Sequence, residues 1–281
     1  MTQTSSGSQA TDFTLTGHAG TLAARRWSGA RHPSYVVLLV HGYGEHIGRY
    51  EYVAARFVAD GAVVYGMDHV GHGRSDGERV DIADMERLVD DVHLLHERAT
   101  AEHGGLPVVL VGHSMGGMLA ARYAQRYGDA LAAVVLSAPV LGRWEALEAL
   151  LAAPQIPDDP IDVTTLSRDA AVGAAYRADP LVWHGPFKRR TLEALRDGLA
   201  TIAGAGPLTA CPVLWLHGED DGLVPVAGTA MGWRAFAGRG ESKSYPQARH
   251  EIFNELNKEE VLDDVIAFLR RQLHQRDAGR R

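Results

Sequence analysis

Ser114 stands in the pentapeptide Gly112-His113-Ser114-Met115-Gly116, directly behind the apolar run Val108 to Val111 and ahead of the helix-like stretch Gly117 to Tyr127. A strand that breaks sharply into a helix at a serine presents the hydroxyl at the tip of a strained turn. Glycines are needed two residues to either side because a Cβ there would clash. Such a hydroxyl can attack an acyl carbon. It then requires a base to take its proton and a third group to orient that base.

Both partners follow at strand ends. Behind the run Val213 to His217 comes Gly218-Glu219-Asp220-Asp221-Gly222-Leu223-Val224-Pro225, a loop that carries carboxylates. Behind the next strand, Ala248-Arg249-His250-Glu251 sets a histidine in a loop before the last helix. Serine, then acid, then histidine is the chain order of α/β-hydrolases. Asp220 and Asp221 compete for the acid position, since neighbouring side chains cannot both point into one site, and the residues alone leave that choice open. His250 is one of 14 histidines. His93, His96, His103 and His274 read as ordinary surface or core residues. Asp68, His69 and His72 suggest a metal site, but an H-x-x-H pair without a third spaced ligand is a weak signal, and Gly71, Gly73 and Gly77 mark a loop. No metal is expected.

A tetrahedral intermediate also needs two preorganised backbone donors. The N–H of Met115, the residue after the nucleophile, is one. The other is expected from the loop behind the strand Tyr35 to Val40, which reads His41-Gly42-Tyr43-Gly44-Glu45-His46. Its glycines let the backbone approach a substrate oxygen closely, and Tyr43 is the expected donor through its N–H.

The elements that must position these groups alternate between strand and helix. Thr21 to Trp27, Tyr35 to Val40, Ala62 to Met67, Val108 to Val111, Val134 to Ser137, Val213 to His217 and Lys243 to Tyr245 read as strands. Met85, Leu88, Val89, Val92, Leu95 and Ala99 recur every three or four residues on one helix face, and Gly104-Gly105 and Pro107 end that helix. Val261, Val265, Phe268 and Leu269 mark the final helix. Short apolar strands without polar alternation predict a mostly parallel sheet covered by helices on both faces. One connection, from near Pro139 to near Pro212, is far longer than an α/β loop requires. It carries Trp144, Leu147, Leu150 and Leu151 at helical spacing and the prolines 154, 157 and 160. The expected organisation is a core over residues 1–140 and 209–281, interrupted by a mainly helical cap, residues 141–208, above the carboxyl ends of the strands. The apolar stripe of that cap is expected to face lipid, as part of a mobile lid.

Composition narrows the partners. The 281 residues are 46% apolar, enough for a large core, and carry a net charge of −7 with no basic cluster, which argues against nucleic acid. One cysteine, Cys211, excludes an internal disulfide and fits a reducing, cytoplasmic compartment. Met1 to Thr11 lack an apolar segment, so no signal peptide is expected. The apolar runs are too short to span a membrane, which leaves a soluble protein with peripheral lipid contact through the cap.

Longer blocks carry a resemblance. His41-Gly42-Tyr43-Gly44-Glu45-His46 with Arg49-Tyr50, Asp68-His69-Val70-Gly71-His72-Gly73-Arg74-Ser75-Asp76-Gly77, Gly112 to Gly117, Leu166-Ser167-Arg168 and Tyr176-Arg177-Ala178-Asp179-Pro180-Leu181 together resemble the monoacylglycerol lipase family. The similarity runs from about Asp12 to Leu273, with little to match in the cap before Leu166. It implies the α/β-hydrolase fold and a serine hydrolase that cleaves monoacylglycerols to glycerol and fatty acid without a cofactor. It implies Asp221 as the acid, and Glu45, Arg49 and Tyr176 as glycerol contacts. A carboxylesterase or lysophospholipase of the same fold would share the triad. A dehalogenase or epoxide hydrolase would place Asp where Ser114 stands, and a non-catalytic binder would usually have lost a triad member.

Overall fold

The computed structural model describes residues 9–29, 31–237 and 240–279; the first eight residues of the polar N-terminal stretch lie outside the described residues. The chain opens with the strands β1 (Gln9–Gly17), β2 (Gly20–Ser28) and β3 (Tyr35–Val40), then α1 (Glu51–Ala59), β4 (Ala62–Met67) and α2 (Met85–Glu102). β5 (Val108–His113) leads into α3 (Met115–Tyr127) and β6 (Ala133–Ser137). The long connection carries α4 (Glu145–Ala152), α5 (Ala170–Ala178) and α6 (Arg189–Ala205). β7 (Val213–Gly218), α7 (Val226–Phe236), β8 (Glu241–Tyr245) and α8 (Lys258–Gly279) complete the order.

The strands form one sheet in the order β1-β2-β4-β3-β5-β6-β7-β8, and every pairing from β4 through β8 is parallel. β3, β4, β5 and β6 are buried at every position, as strands covered on both faces must be. Alternate side chains serve different cores. Val36, Leu38 and Val40 of β3 pack with Leu88, Val92 and Leu95 of α2 and with Met118 and Leu119 of α3. Val37 and Leu39 pack with Val53 and Phe57 of α1 and with Val261, Val265 and Phe268 of α8. Truncating one of these buried leucines to alanine costs about 2–5 kcal/mol. The Asp84 carboxylate caps α2 by accepting from the Glu86 N–H, and Gly105, at φ +85°, reverses the chain beyond its end.

β1 departs from the expectation of a first strand near Thr21. It is mostly exposed, and only Phe13 and Leu15 reach the core, so its apolar signal is faint. Cross-strand pairing with β2, from Gln9 opposite Ser28 to Gly17 opposite Gly20, holds it instead. Within residues 141–208, Val163, Leu166, Tyr176 and Val182 form a small cluster of their own, whereas Leu192, Leu195 and Ile202 of α6 join the main core.

The apolar stripe of residues 144–151, expected to face lipid, packs inward in this structure. Trp144 and Leu147 are buried in the main core, with Leu150 and Leu151 half-buried against it. The exposed large apolar residues among those described are Tyr52, Met231 and Leu256, none of them in the cap. Inside contacts satisfy the stripe, as amphipathic helices on globular cores usually arrange. Among the described residues no helix is long and apolar enough to cross a membrane.

Candidate active site

Ser114 sits at φ +56°, ψ −120°, between the end of β5 and the start of α3. A non-glycine residue there stores about 1–3 kcal/mol of strain, which the surroundings must hold. The Ser114 N–H donates to Ser137 O at 2.9 Å and its carbonyl accepts from Val140 N at 3.1 Å. A Cβ on Gly112 would lie 2.2 Å from Gly116 O, and one on Gly116 would lie 2.2 Å from Val40 O, so both glycines are forced by contact.

The three residues expected from the sequence meet at this turn. His250 Nε2 is 2.9 Å from Ser114 Oγ, and His250 Nδ1 is 2.7 Å from Asp221 Oδ2. Geometry separates the two aspartates: Asp220 is exposed, while Asp221 is buried and fully held. Asp221 Oδ1 accepts from the N–H groups of Leu223 at 2.9 Å and Val224 at 2.8 Å. Its Oδ2 also takes a bond from His217 Nε2 at 3.1 Å, and His217 Nδ1 accepts from Trp215 Nε1 at 3.0 Å. That second imidazole, at the end of β7, was not singled out in the sequence.

Charge follows the geometry. Burial raises the Asp221 pKa, but the neighbouring His250 and His217 outweigh it and hold the carboxyl well below the usual carboxylate range. Burial disfavours a charged His250, yet the Asp221 carboxylate overcomes this and raises its pKa above the ordinary 6.5. A base must be neutral to take a proton. Hence kcat/KM for an ester should fall toward acid with a midpoint above 6.5. In the residual activity of Asp221→Asn that midpoint should move down, because only the weaker pull of Glu251 and Glu45 is then left to oppose burial. A pH–rate series on both proteins checks this; an unshifted midpoint contradicts it.

The loop behind β3 lies beside the nucleophile: a Cβ on Gly42 would be 3.1 Å from Ser114 Cβ. Among the described residues, the backbone N–H groups of Tyr43 and Met115 donate to no backbone carbonyl outside regular elements. A cavity opens in front of them. Its lining includes the apolar residues Val140, Trp144, Leu166, Phe187 and Leu223 and the polar residues Glu45, Arg49, His113 and Tyr176.

Glu45, expected to touch glycerol, lines the same cavity and is also bonded within its own loop. Its Oε1 accepts from Gly42 N and Tyr50 OH, both at 2.7 Å, and its Oε2 accepts from Arg49 Nη1 at 2.6 Å. Arg49 also grips Glu251 with two bonds of 2.8 Å. Glu251, which sequence reasoning passed over, is buried; although burial raises its pKa, Arg49 wins and brings it down to about 2. Tyr176 is free of such ties, with its ring beneath the Arg49 guanidinium, 4.9 Å from Cζ.

Known proteins share this arrangement of sequence. The Hydrolase_4 family model, described as serine aminopeptidase S33, matches residues 31–257. A monoacylglycerol lipase of Mycolicibacterium smegmatis is 41% identical over 254 residues, covering 86% of this chain and 90% of its own length. The chain belongs to the monoacylglycerol lipase family of α/β-hydrolases. A monoglyceride lipase of Homo sapiens is 31% identical, with 92% and 88% of the two chains covered. A soluble variant of Saccharomyces cerevisiae monoglyceride lipase, solved with a substrate analog, superposes with a TM-score of 0.82 over 96% of each chain; at 22% identity it shows the shared fold.

The remaining family blocks tie the long connection to the site. Trp183 N donates to Gly44 O at 2.7 Å, and His46 Nε2 meets Asp179 Oδ2 at 2.8 Å, so the DPL block is joined to the loop behind β3. Glu251 N donates to Leu166 O at 2.7 Å and Arg168 Nε to Glu255 Oε2 at 2.9 Å, joining the LSR block to the His250 loop. His69 and His72 lie buried behind the same loop, packed on His41. Among the described residues no group of three or more His, Cys, Asp or Glu is arranged to hold a metal ion.

Proposed function

We propose that the protein hydrolyses monoacylglycerols to glycerol and a fatty acid, with Ser114 as nucleophile, His250 as base and then acid, and Asp221 orienting His250. Ser114 Oγ attacks the ester carbonyl as its proton passes to His250 Nε2. The N–H groups of Tyr43 and Met115 receive the oxyanion. His250 next protonates the glycerol oxygen, the C–O bond breaks, and the acyl group remains on Ser114. Water, deprotonated by His250, then releases the fatty acid. No step requires a cofactor.

The observation that carries the substrate is the mixed lining of one cavity that holds Ser114, apolar at Trp144 and Phe187 and polar at Arg49 and Tyr176. A single acyl chain with a hydroxylated head matches that division. The aminopeptidase name of the family model does not carry over to substrate. A peptide amine needs a free carboxylate, and the Glu45 and Glu251 oxygens already accept from Gly42, Tyr50, Arg49 and Asn254. Glu45 shapes the loop while lining the cavity, and glycerol hydroxyls are read as meeting Glu45, Arg49 and Tyr176.

Residues 141–208 are read as the cap over this cavity. Lipid contact, in this reading, accompanies opening: Leu150 and Leu151 of α4 are the half-buried groups that would turn outward. Hydrogen exchange of α4 that is identical with and without monoolein micelles would remove that part of the reading.

Tyr176→Phe tests the glycerol end. Losing one neutral hydrogen bond, about 0.5–1.5 kcal/mol, should raise KM for a monoacylglycerol about twofold to tenfold. The p-nitrophenyl ester of the same acid lacks the glycerol and should keep its KM. Equal changes for both esters would place Tyr176 outside head-group recognition.

A further inference from the structure

The Asp68-His69-x-x-His72 motif finds no use in the acyl-transfer steps, yet it is built into the site. His41, His69 and His72 are each at most 1% exposed, and the His41 ring centroid lies 4.2 Å from that of His69 and 5.4 Å from that of His72. Burial drives the pKa of His41 well below its usual value and brings those of His69 and His72 down to about 3 and about 4. The three rings are therefore neutral where esters are hydrolysed, and each has a defined tautomer.

Their partners set those tautomers. Gly42 O can only accept, so His41 Nδ1, 2.8 Å away, carries the proton and donates. His41 Nε2 then accepts the His69 backbone N–H at 3.0 Å, while His69 Nε2 donates back to His41 O at 3.2 Å. The first of these bonds holds the His41 ring in the orientation that reaches Gly42 O, and the second ties the His69 ring to the His41 backbone.

The Gly42 carbonyl belongs to the same peptide unit as the Tyr43 N–H. That unit is planar and trans, so its C=O and N–H point in opposite directions. Flanking glycines, including Gly44 at φ +75°, would otherwise let the unit rotate at small cost. Gly42 is instead held on both sides: its N–H donates to Glu45 Oε1 at 2.7 Å, and its carbonyl accepts from His41.

We propose that His41 is a positioning residue for acyl transfer: clamped by the His69 backbone, its Nδ1–H pins the Gly42 carbonyl and so aims the Tyr43 N–H at the developing oxyanion. This rests on Ser114 acyl transfer as the protein's chemistry. The Asp68-to-His72 segment thereby serves preorganisation of the oxyanion site. His72, with its ring 6.0 Å from that of Tyr43 and edge-on to it, supports the Tyr43 side.

Two near-isosteric variants separate aiming from mere packing. The amide nitrogen of His41→Asn reaches the place of Nδ1 and can still donate to Gly42 O. That of His41→Gln reaches the place of Nε2 and cannot. With a p-nitrophenyl ester, His41→Gln should lose about 10²-fold in kcat with KM unchanged, the size of losing one oxyanion donor. Its affinity for a trifluoromethyl ketone analogue should fall in parallel. His41→Asn should recover most of both. Equal kcat in the two variants, or a loss confined to KM, would overturn the proposal. Should either variant fail to fold, ¹⁵N-histidine NMR of the wild-type protein decides: His41 protonated at Nδ1 from pH 6 to 9 is expected (a span about the ordinary imidazole pKa), and protonation at Nε2 overturns it. Activity surviving Ser114→Ala would instead undo the underlying chemistry, a result distinct from any of these.

Discussion

Ser114→Ala should lower the turnover of any accepted ester by about 10⁴- to 10⁶-fold, and His250→Ala by a similar factor. The double variant should be little worse than either single one. The reason lies in the hydrogen bond of 2.9 Å between His250 Nε2 and Ser114 Oγ. Without the base the hydroxyl is a poor nucleophile, and without the hydroxyl the base has nothing to activate, so the two act as a unit. Residual turnover in each variant reports what the cavity and the oxyanion donors contribute alone. Steady-state rates over a range of enzyme concentrations measure it. A Ser114→Ala protein that keeps a tenth of the wild-type rate would reject the assignment, as would losses that multiply in the double variant.

The second large effect separates neighbouring aspartates. Asp221→Asn should cost about 10⁴-fold in kcat, the scale on which a misoriented base acts in triads of this type. Asp220→Asn should stay within about threefold of wild type, as exposed substitutions away from a site do. Asp221 is buried and bonded through both oxygens, to His250, His217 and two backbone N–H groups, so an amide there must present an N–H to a group that is already donating. Asp220 is exposed. Paired kcat measurements on the two variants check this, and a crippled Asp220→Asn beside an active Asp221→Asn would reverse the assignment.

Much of this architecture was legible because its signals are local. Buried parallel strands such as β3 and β5 must be apolar on both faces, and the glycines around Ser114 are demanded by contacts of 2.2 Å. The order of Ser114, an acid at Asp220 or Asp221, and His250 could likewise be read from loops behind strands, while Asp221 in particular came only with the family resemblance. Signals that depend on distant pairing were not legible. Glu251 is 202 positions from Arg49, and nothing near it announces a buried ion pair. β1 is held by a neighbouring strand and shows almost no apolar pattern. For the α4 stripe, helical spacing reveals that one face is apolar but not what covers it. His217 had a weak local signal, a Trp-x-His at a strand end just before the acid loop, since Trp215 Nε1 donates to its ring.

The most direct test of the central claim is an initial-rate comparison of monoolein, triolein, oleoyl lysophosphatidylcholine and p-nitrophenyl oleate, at matched concentration and detergent, on the wild-type protein and on Ser114→Ala. Monoolein should be hydrolysed faster than triolein and the lysophospholipid. One cavity beside Ser114 has a lining that is apolar at Trp144 and Phe187 and polar at Arg49 and Tyr176, which suits one acyl chain with a hydroxylated head. All four rates should collapse in the variant. Faster turnover of triolein or of the lysophospholipid than of monoolein would contradict the monoacylglycerol assignment.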